Sequence, residues 1–204
     1  MRKRSGKVAL VLMGAAAFGL SACKSDETDV RAFPNVEACI ESARGGNLFF
    51  TEADCRTSFA EAEQTHMETA PRYDSLAVCE EQHGVGNCGG DPAASAGGGM
   101  GSIFMPMLMG YMIGSMLSRG GGMMSQPLVR SADGRFANPA GTTSLASNNG
   151  AGKMAPAAFA KGPTTMGQPP MSRAQVAQRG GFGQTAASRP AAGGTGGAAR
   201  SSGG

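Results

Sequence analysis

Ile103-Phe104-Met105-Pro106-Met107-Leu108-Met109-Gly110-Tyr111-Met112-Ile113-Gly114-Ser115-Met116-Leu117 is an uncharged, apolar-leaning run of fifteen residues, and its reading decides what surrounds it. Met105, Met109, Met112 and Met116 recur at helical spacing, which predicts an apolar helix over 103–117. At a rise of about 1.5 Å per residue that helix is about 22 Å long, short of the roughly 30 Å hydrocarbon core of a bilayer, so it does not cross one alone. Gly110 and Gly114 form the small-xxx-small pattern that lets helices approach closely in lipid. An apolar face of this size is expected to be covered by a membrane, a partner or a second copy, with Phe104, Met105, Met109, Gly110, Met112, Gly114 and Met116 as the contact residues.

Residues 92–102, rich in Pro, Ala, Ser and Gly, separate this run from residues 23–91. Only the latter segment looks able to build a core, and a domain that small needs covalent staples. Its pattern is helical. Asn35 caps a helix over 36–44 with Val36, Cys39 and Ile40 on one face and Gly45-Gly46 as its stop. Thr51-Glu52-Ala53-Asp54 is an imperfect capping box, behind which Cys55, Phe59, Ala62 and His66 share one face of a second helix that ends before Pro71. Ser75, Leu76, Cys79 and a stop at Gly84 mark a third. Lys24 to Arg31, charged and without apolar periodicity, reads as a spacer.

The third helix echoes the first. In both Phe33-Pro34-Asn35-Val36-Glu37-Ala38-Cys39 and Tyr73-Asp74-Ser75-Leu76-Ala77-Val78-Cys79 an aromatic precedes the cap and a Cys follows it, with Cys55 and Cys88 downstream of the respective copies. Four cysteines can pair in more than one way, and the echo favours Cys39 with Cys55 and Cys79 with Cys88.

The compartment is read from the N-terminus. Arg2, Lys3, Arg4 and Lys7 precede an apolar stretch from Val8 to Leu20, so residues 1–22 read as a secretion signal. Leu20-Ser21-Ala22-Cys23 resembles the bacterial lipobox, which makes Cys23 the expected lipidation site and a membrane its partner, facing the periplasm. Lys24 after the Cys, where Asp would mark inner-membrane retention, favours the outer membrane. Such a compartment oxidises thiols, in keeping with two disulfides.

Charge divides the mature chain. Lys24 to Asp91 holds 14 acidic and 5 basic side chains, and Pro92 to Gly204 holds 9 basic and one acidic, Asp133. Residues 118–204 have few aromatics, no sustained periodicity and abundant Gly, Ala, Ser and Pro, a composition that does not repay the entropy of ordering. The expected fold is therefore a small all-α disulfide-stapled head, a Met-rich apolar helix and a long, basic, disordered tail. That tail suits anionic envelope polymers or lipid head groups, or the acidic head itself.

Residues for chemistry are sparse. Met105, Met107, Met109 and Met112 offer soft thioethers that could bind Cu(I) outside the cytoplasm, against the simpler reading of adaptable apolar surface. Cys79 with His83, and Cys55 with His66, lack the short C-x-x-C spacing of a zinc knuckle, so no metal or other cofactor is assigned. His66 reads as a partly exposed helix residue and His83 as a helix C-terminal charge. Arg179-Gly180-Gly181-Phe182-Gly183 is similar to an RNA-binding element, but an exported protein meets little RNA and no nucleic-acid partner is expected. With no G-x-S-x-G, H-E-x-x-H or phosphate loop, an interaction role is expected rather than an enzyme.

Cys23-Lys24-Ser25-Asp26-Glu27-Thr28, Thr69-Ala70-Pro71-Arg72-Tyr73, Met105-Pro106, Met109-Gly110-Tyr111-Met112, Gln126-Pro127-Leu128 and Arg179 to Gly183 together resemble, in this order, the YgiB-like bacterial lipoproteins, a domain of unknown function. The chain departs from that pattern at Ala38, where the family tends to carry Asp, and in a tail richer in Gly and Ala. The resemblance implies an envelope protein and assigns no activity or functional residues; the frequent neighbourhood of the family's genes to one for an ATP-grasp protein like glutathionylspermidine synthase hints at envelope or polyamine-related work by association alone.

Overall fold

The Met-rich run forms strands, not a helix, in the computed structural model, which describes residues 27–46, 49–93, 102–115 and 122–180. In chain order the elements are β1 (Thr28–Phe33), α1 (Val36–Arg44), α2 (Glu52–Thr69), α3 (Leu76–His83), β2 (Cys88–Gly90), β3 (Phe104–Pro106), β4 (Tyr111–Ser115), β5 (Met123–Pro127), β6 (Val129–Arg130), β7 (Phe136–Ala137), β8 (Ser144–Leu145), β9 (Gly150–Met154), a 3₁₀ turn (Pro156–Phe159) and α4 (Arg173–Arg179). An antiparallel sheet in the order β5-β4-β1-β9 is the centre, with a β2-β3 pair and a β6-β7-β8 meander beside it.

The expected all-α head with a disordered tail is thereby corrected in three places. The supposed spacer supplies β1, an interior strand whose residues alternate between two faces: Arg31 and Phe33 stand opposite Ile113 and Tyr111, while Val30 and Ala32 stand opposite Gly114 and Met112. The Met-rich run breaks at Pro106 and again at Gly110, since a proline inside a helix removes a hydrogen bond and clashes with the preceding turn at a cost of about 3 kcal/mol. The same residues lose nothing as two short strands. Finally, residues 122–180 of the tail form strands instead of staying unstructured, β9 pairing with β1 of the head and β5 with β4 of the Met-rich run.

The three helices begin at their capping residues. Asn35 Oδ1 accepts from the Ala38 amide at 2.9 Å, Thr51 and Asp54 complete a reciprocal capping box, and Ser75 caps α3. On one face of the sheet α1 and α2 cover Phe33, Tyr111 and Ile113, with Phe50 and Phe59 set edge-on against the rings of Phe33 and Tyr111. On the other, Ala32 and Met112 pack with Leu128, Ala158 and Phe159.

Cys39 is bonded to Cys55, joining α1 to α2 inside the first cluster, and Cys79 to Cys88, joining α3 to β2. Closing the 16-residue interval of the first removes roughly 3 kcal/mol of loop entropy from the unfolded chain. A Cys39→Ala/Cys55→Ala variant is accordingly expected to lose about that much in urea unfolding; a loss below about 1 kcal/mol would contradict the entropic account.

Gly110 and Gly114 are close-packing positions within the sheet rather than between helices. Gly110 sits at φ +138°, and a Cβ there would lie 2.5 Å from the Phe33 carbonyl oxygen; a Cβ on Gly114 would lie 2.6 Å from the Phe159 ring. Gly110→Ala is expected to cost roughly 2–3 kcal/mol, seen as a lower urea midpoint at unchanged slope, because both the backbone conformation and the space favour glycine. An unchanged midpoint would refute this.

Candidate functional site

Buried polar groups gather where the end of α2, the turn after it and the β2-β3 pair meet. Arg72 and Asp91 are 5% and 2% exposed, and Nε of Arg72 donates to Oδ2 of Asp91 at 2.6 Å. The guanidinium also donates to the Met67 carbonyl at 2.8 Å, to the Ala70 carbonyl at 3.4 Å and to the Thr165 hydroxyl. The pair therefore ties the end of α2, the start of the 92–102 stretch and the tail together, with the charge held by several partners as a buried ion requires.

Next to it the Tyr73 hydroxyl lies 2.9 Å from Nε2 of His83, and Nδ1 of His83 lies 2.7 Å from the Arg130 carbonyl on β6. A carbonyl only accepts, so Nδ1 carries the proton and Nε2 accepts from the phenol, the neutral tautomer. Burial holds His83 down to about 4, the Arg130 carbonyl opposes the shift, and the nearby His66 deepens it. Burial likewise pushes the Tyr73 phenol up. With both ring nitrogens engaged, the arrangement serves to join α3 to β6 and offers no lone pair to a substrate.

His66, on the C-terminal half of α2, is 6% exposed and its Nδ1 has no hydrogen-bond partner among the described residues. Burial lowers it to about 4, a hydrogen bond to the Pro106 carbonyl opposes this, and the Arg72 charge adds to it. The ring lines a cavity of about 270 Å³ shared with Met67, Met105, Met107, Gly89 and Pro106. Both histidines thus differ from the partly exposed and helix-terminal roles that their positions in the sequence suggest. A second cavity, of about 320 Å³, lies at the end of the central sheet against Arg31, Phe50, Ile113 and Met123.

The methionine quartet expected for Cu(I) is divided. Met105, 5% exposed, and Met107 line the His66 cavity, whereas Met112 is fully buried in the cluster of Ala32 and Leu128. Met109 lies in the connection to β4, its carbonyl accepting from Asn148. Phe104 packs against Tyr73 and Val176 instead of facing outward, and Cys79 is buried with them. Cys23 and Met116 lie outside the described residues. Among the described residues, no three His, Cys, Asp or Glu side chains gather as a metal group, and no helix is long and apolar enough to cross a membrane.

Sequence reasoning missed Arg72, Asp91 and Thr165. Their signal was faint: a lone arginine between Pro71 and Tyr73 in a turn, and a lone acid at a linker boundary. It did anticipate an attraction between halves. Lys153 pairs with Asp29 at 3.7 Å, Lys161 with the half-buried Glu68 and Arg173 with Glu81, surface pairs that solvent screens.

Residues 27–193 match a family model described as a protein of unknown function (DUF1190). The chain is similar to a UPF0441 protein of Erwinia tasmaniensis, 30% identical over 192 residues that span 87% of this chain and 80% of that one. It is likewise similar to a UPF0441 protein of Sodalis glossinidius, 33% identical over 199 residues spanning 92% and 85%. No solved structure matches it.

Proposed function

We propose that this chain, which belongs to the DUF1190 family of proteins of unknown function, is a lipid-anchored cell-envelope protein that faces the periplasm and acts by binding a partner. The observation that carries the reading is cysteine bookkeeping. The sequence has five cysteines; four of them form two disulfides, and the fifth is Cys23 at the end of Leu20-Ser21-Ala22-Cys23. Disulfides persist in oxidising compartments, which supports export. A lipobox-like ending supports acylation, and several acyl chains hold a protein durably where one does not. The resemblance to YgiB-like lipoproteins supports the same placement, and Lys24 supports the outer membrane. An interaction role draws support from the buried polar groups, since Arg72, Asp91, Tyr73 and His83 spend their hydrogen bonds joining parts of the fold.

Intact mass of protein purified from membranes, with and without reductant and alkylation, tests this. The expected product lacks residues 1–22, carries acyl mass on Cys23 and shows four alkylatable thiols only after reduction. Cys23→Ala should abolish the acyl mass. An unmodified Cys23, or head thiols that alkylate without reductant, would overturn the placement.

A further inference from the structure

We propose that the cavity between α2 and the β2-β3 pair is a binding site for a soft monovalent metal ion, Cu(I) above all, with the imidazole of His66 and the thioethers of Met67, Met105 and Met107 as its ligands. The cavity, open to the surface at Met107, holds about 270 Å³, and all four residues line it. His66 is almost wholly buried, and its Nδ1 has no hydrogen-bond partner among the described residues, so the fold does not hold the ring through that nitrogen.

The rest of the lining selects the ion. Met105 lies opposite Gly89 in the β2-β3 ladder, and a Cβ on Gly89 or Gly90 would meet nothing within 4 Å, so that strand leaves the space open. Thioethers are soft ligands that favour Cu(I) over Zn(II), and the thiolates that structural zinc prefers are absent because the head cysteines are in disulfides. Glu63, one helical turn before His66, places a carboxylate on the lining that lowers the cost of a single positive charge.

The test uses the purified full chain with its disulfides intact, titrated anaerobically with Cu(I) against a chromophoric Cu(I) chelator under ascorbate, which leaves such disulfides closed. The expected result is one Cu(I) per chain. His66→Leu should weaken it at least tenfold and Met105→Leu should weaken it measurably, while Met109→Leu, outside the cavity, should leave it unchanged. With Ag(I) as a redox-inert substitute, nitrogen NMR should show an imidazole nitrogen resonance of His66 shifting. If His66→Leu does not fold by circular dichroism, the Met67→Leu/Met105→Leu double variant decides in its place. No competition with the chelator, equal affinity in the cavity variants, or tighter binding of Zn(II) than of Cu(I) would each overturn the proposal. None of these readouts depends on Cys23, so failure here and failure of the anchoring reading are distinguishable.

Discussion

Between pH 6.5 and pH 4 the protein should lose on the order of 3 kcal/mol of stability through His83 alone. In the unfolded chain the imidazole titrates near 6.5, and in the fold burial holds it down to about 4. Above 6.5 both states are neutral and the contribution is fully present. Through the interval below it the unfolded state binds the proton first, so stability falls as pH falls and levels off below about 4. His66 shifts in the same direction over the same interval and adds to the loss. Glu52 and Glu68, held below the ordinary carboxylate range by hydrogen bonds from Arg44 and Lys161, lose their contributions only at lower pH. Urea midpoints at pH 7, 5.5 and 4 measure the slope, which should be shallower in His83→Gln despite its lower starting stability. A wild-type midpoint that stays level from pH 7 to 4.5 would sink the prediction, as would an unaltered slope in the variant.

Asp91→Ala should cost roughly 3–5 kcal/mol, a fall in Tm on the order of 10 °C for a chain of this length. The substitution strands the Arg72 guanidinium, which is 5% exposed and cannot regain water without opening the turn after α2. Much of the cost is the orphaned charge rather than the lost attraction, so Arg72→Met/Asp91→Leu, which removes both ions, should recover a large part of it. A cost below about 1 kcal/mol for Asp91→Ala would mean the pair behaves like an exposed one.

Helices were legible because their signals are local. Asn35, Thr51 and Ser75 each satisfy an amide three residues on, so cap and helix are read from one short window. Strands were not, because their signals lie in partners far along the chain. Gly150 to Met154 has no apolar alternation; it is a strand because β1 offers it a backbone ladder. Composition misled for a related reason. Asn138, fully buried, accepts from the amides of Thr142 and Thr143, so a polar, glycine-bearing turn is ordered by one side chain and not by a hydrophobic core. In the Met-rich run the helical methionine stripe competed with Pro106 and with the period-two placement of Tyr111 and Ile113, and the latter two signals prevail in the fold.

For the candidate site, His66 was visible as a helix-face residue, but its burial arises from β3, a strand that was itself misread as part of a helix. Met105 and Met107 were recognised as soft ligands, yet Met67 was not, because it sits in a different element and only the tertiary fold brings it to them.

The interior position of β1 also orders events in time. Val30 takes its neighbours from Gly114 and Gly152, so β1 waits for β4 to emerge before it pairs on one edge and for β9 before it pairs on the other. Contacts that distant close slowly, while the loops between Cys39 and Cys55 and between Cys79 and Cys88 close early. As the chain emerges into the oxidising compartment, the stapled helices can therefore assemble as a waiting scaffold, and the sheet is sealed last, leaving β1 available to chaperones, or to mispairing with another emerging chain, until its partners arrive.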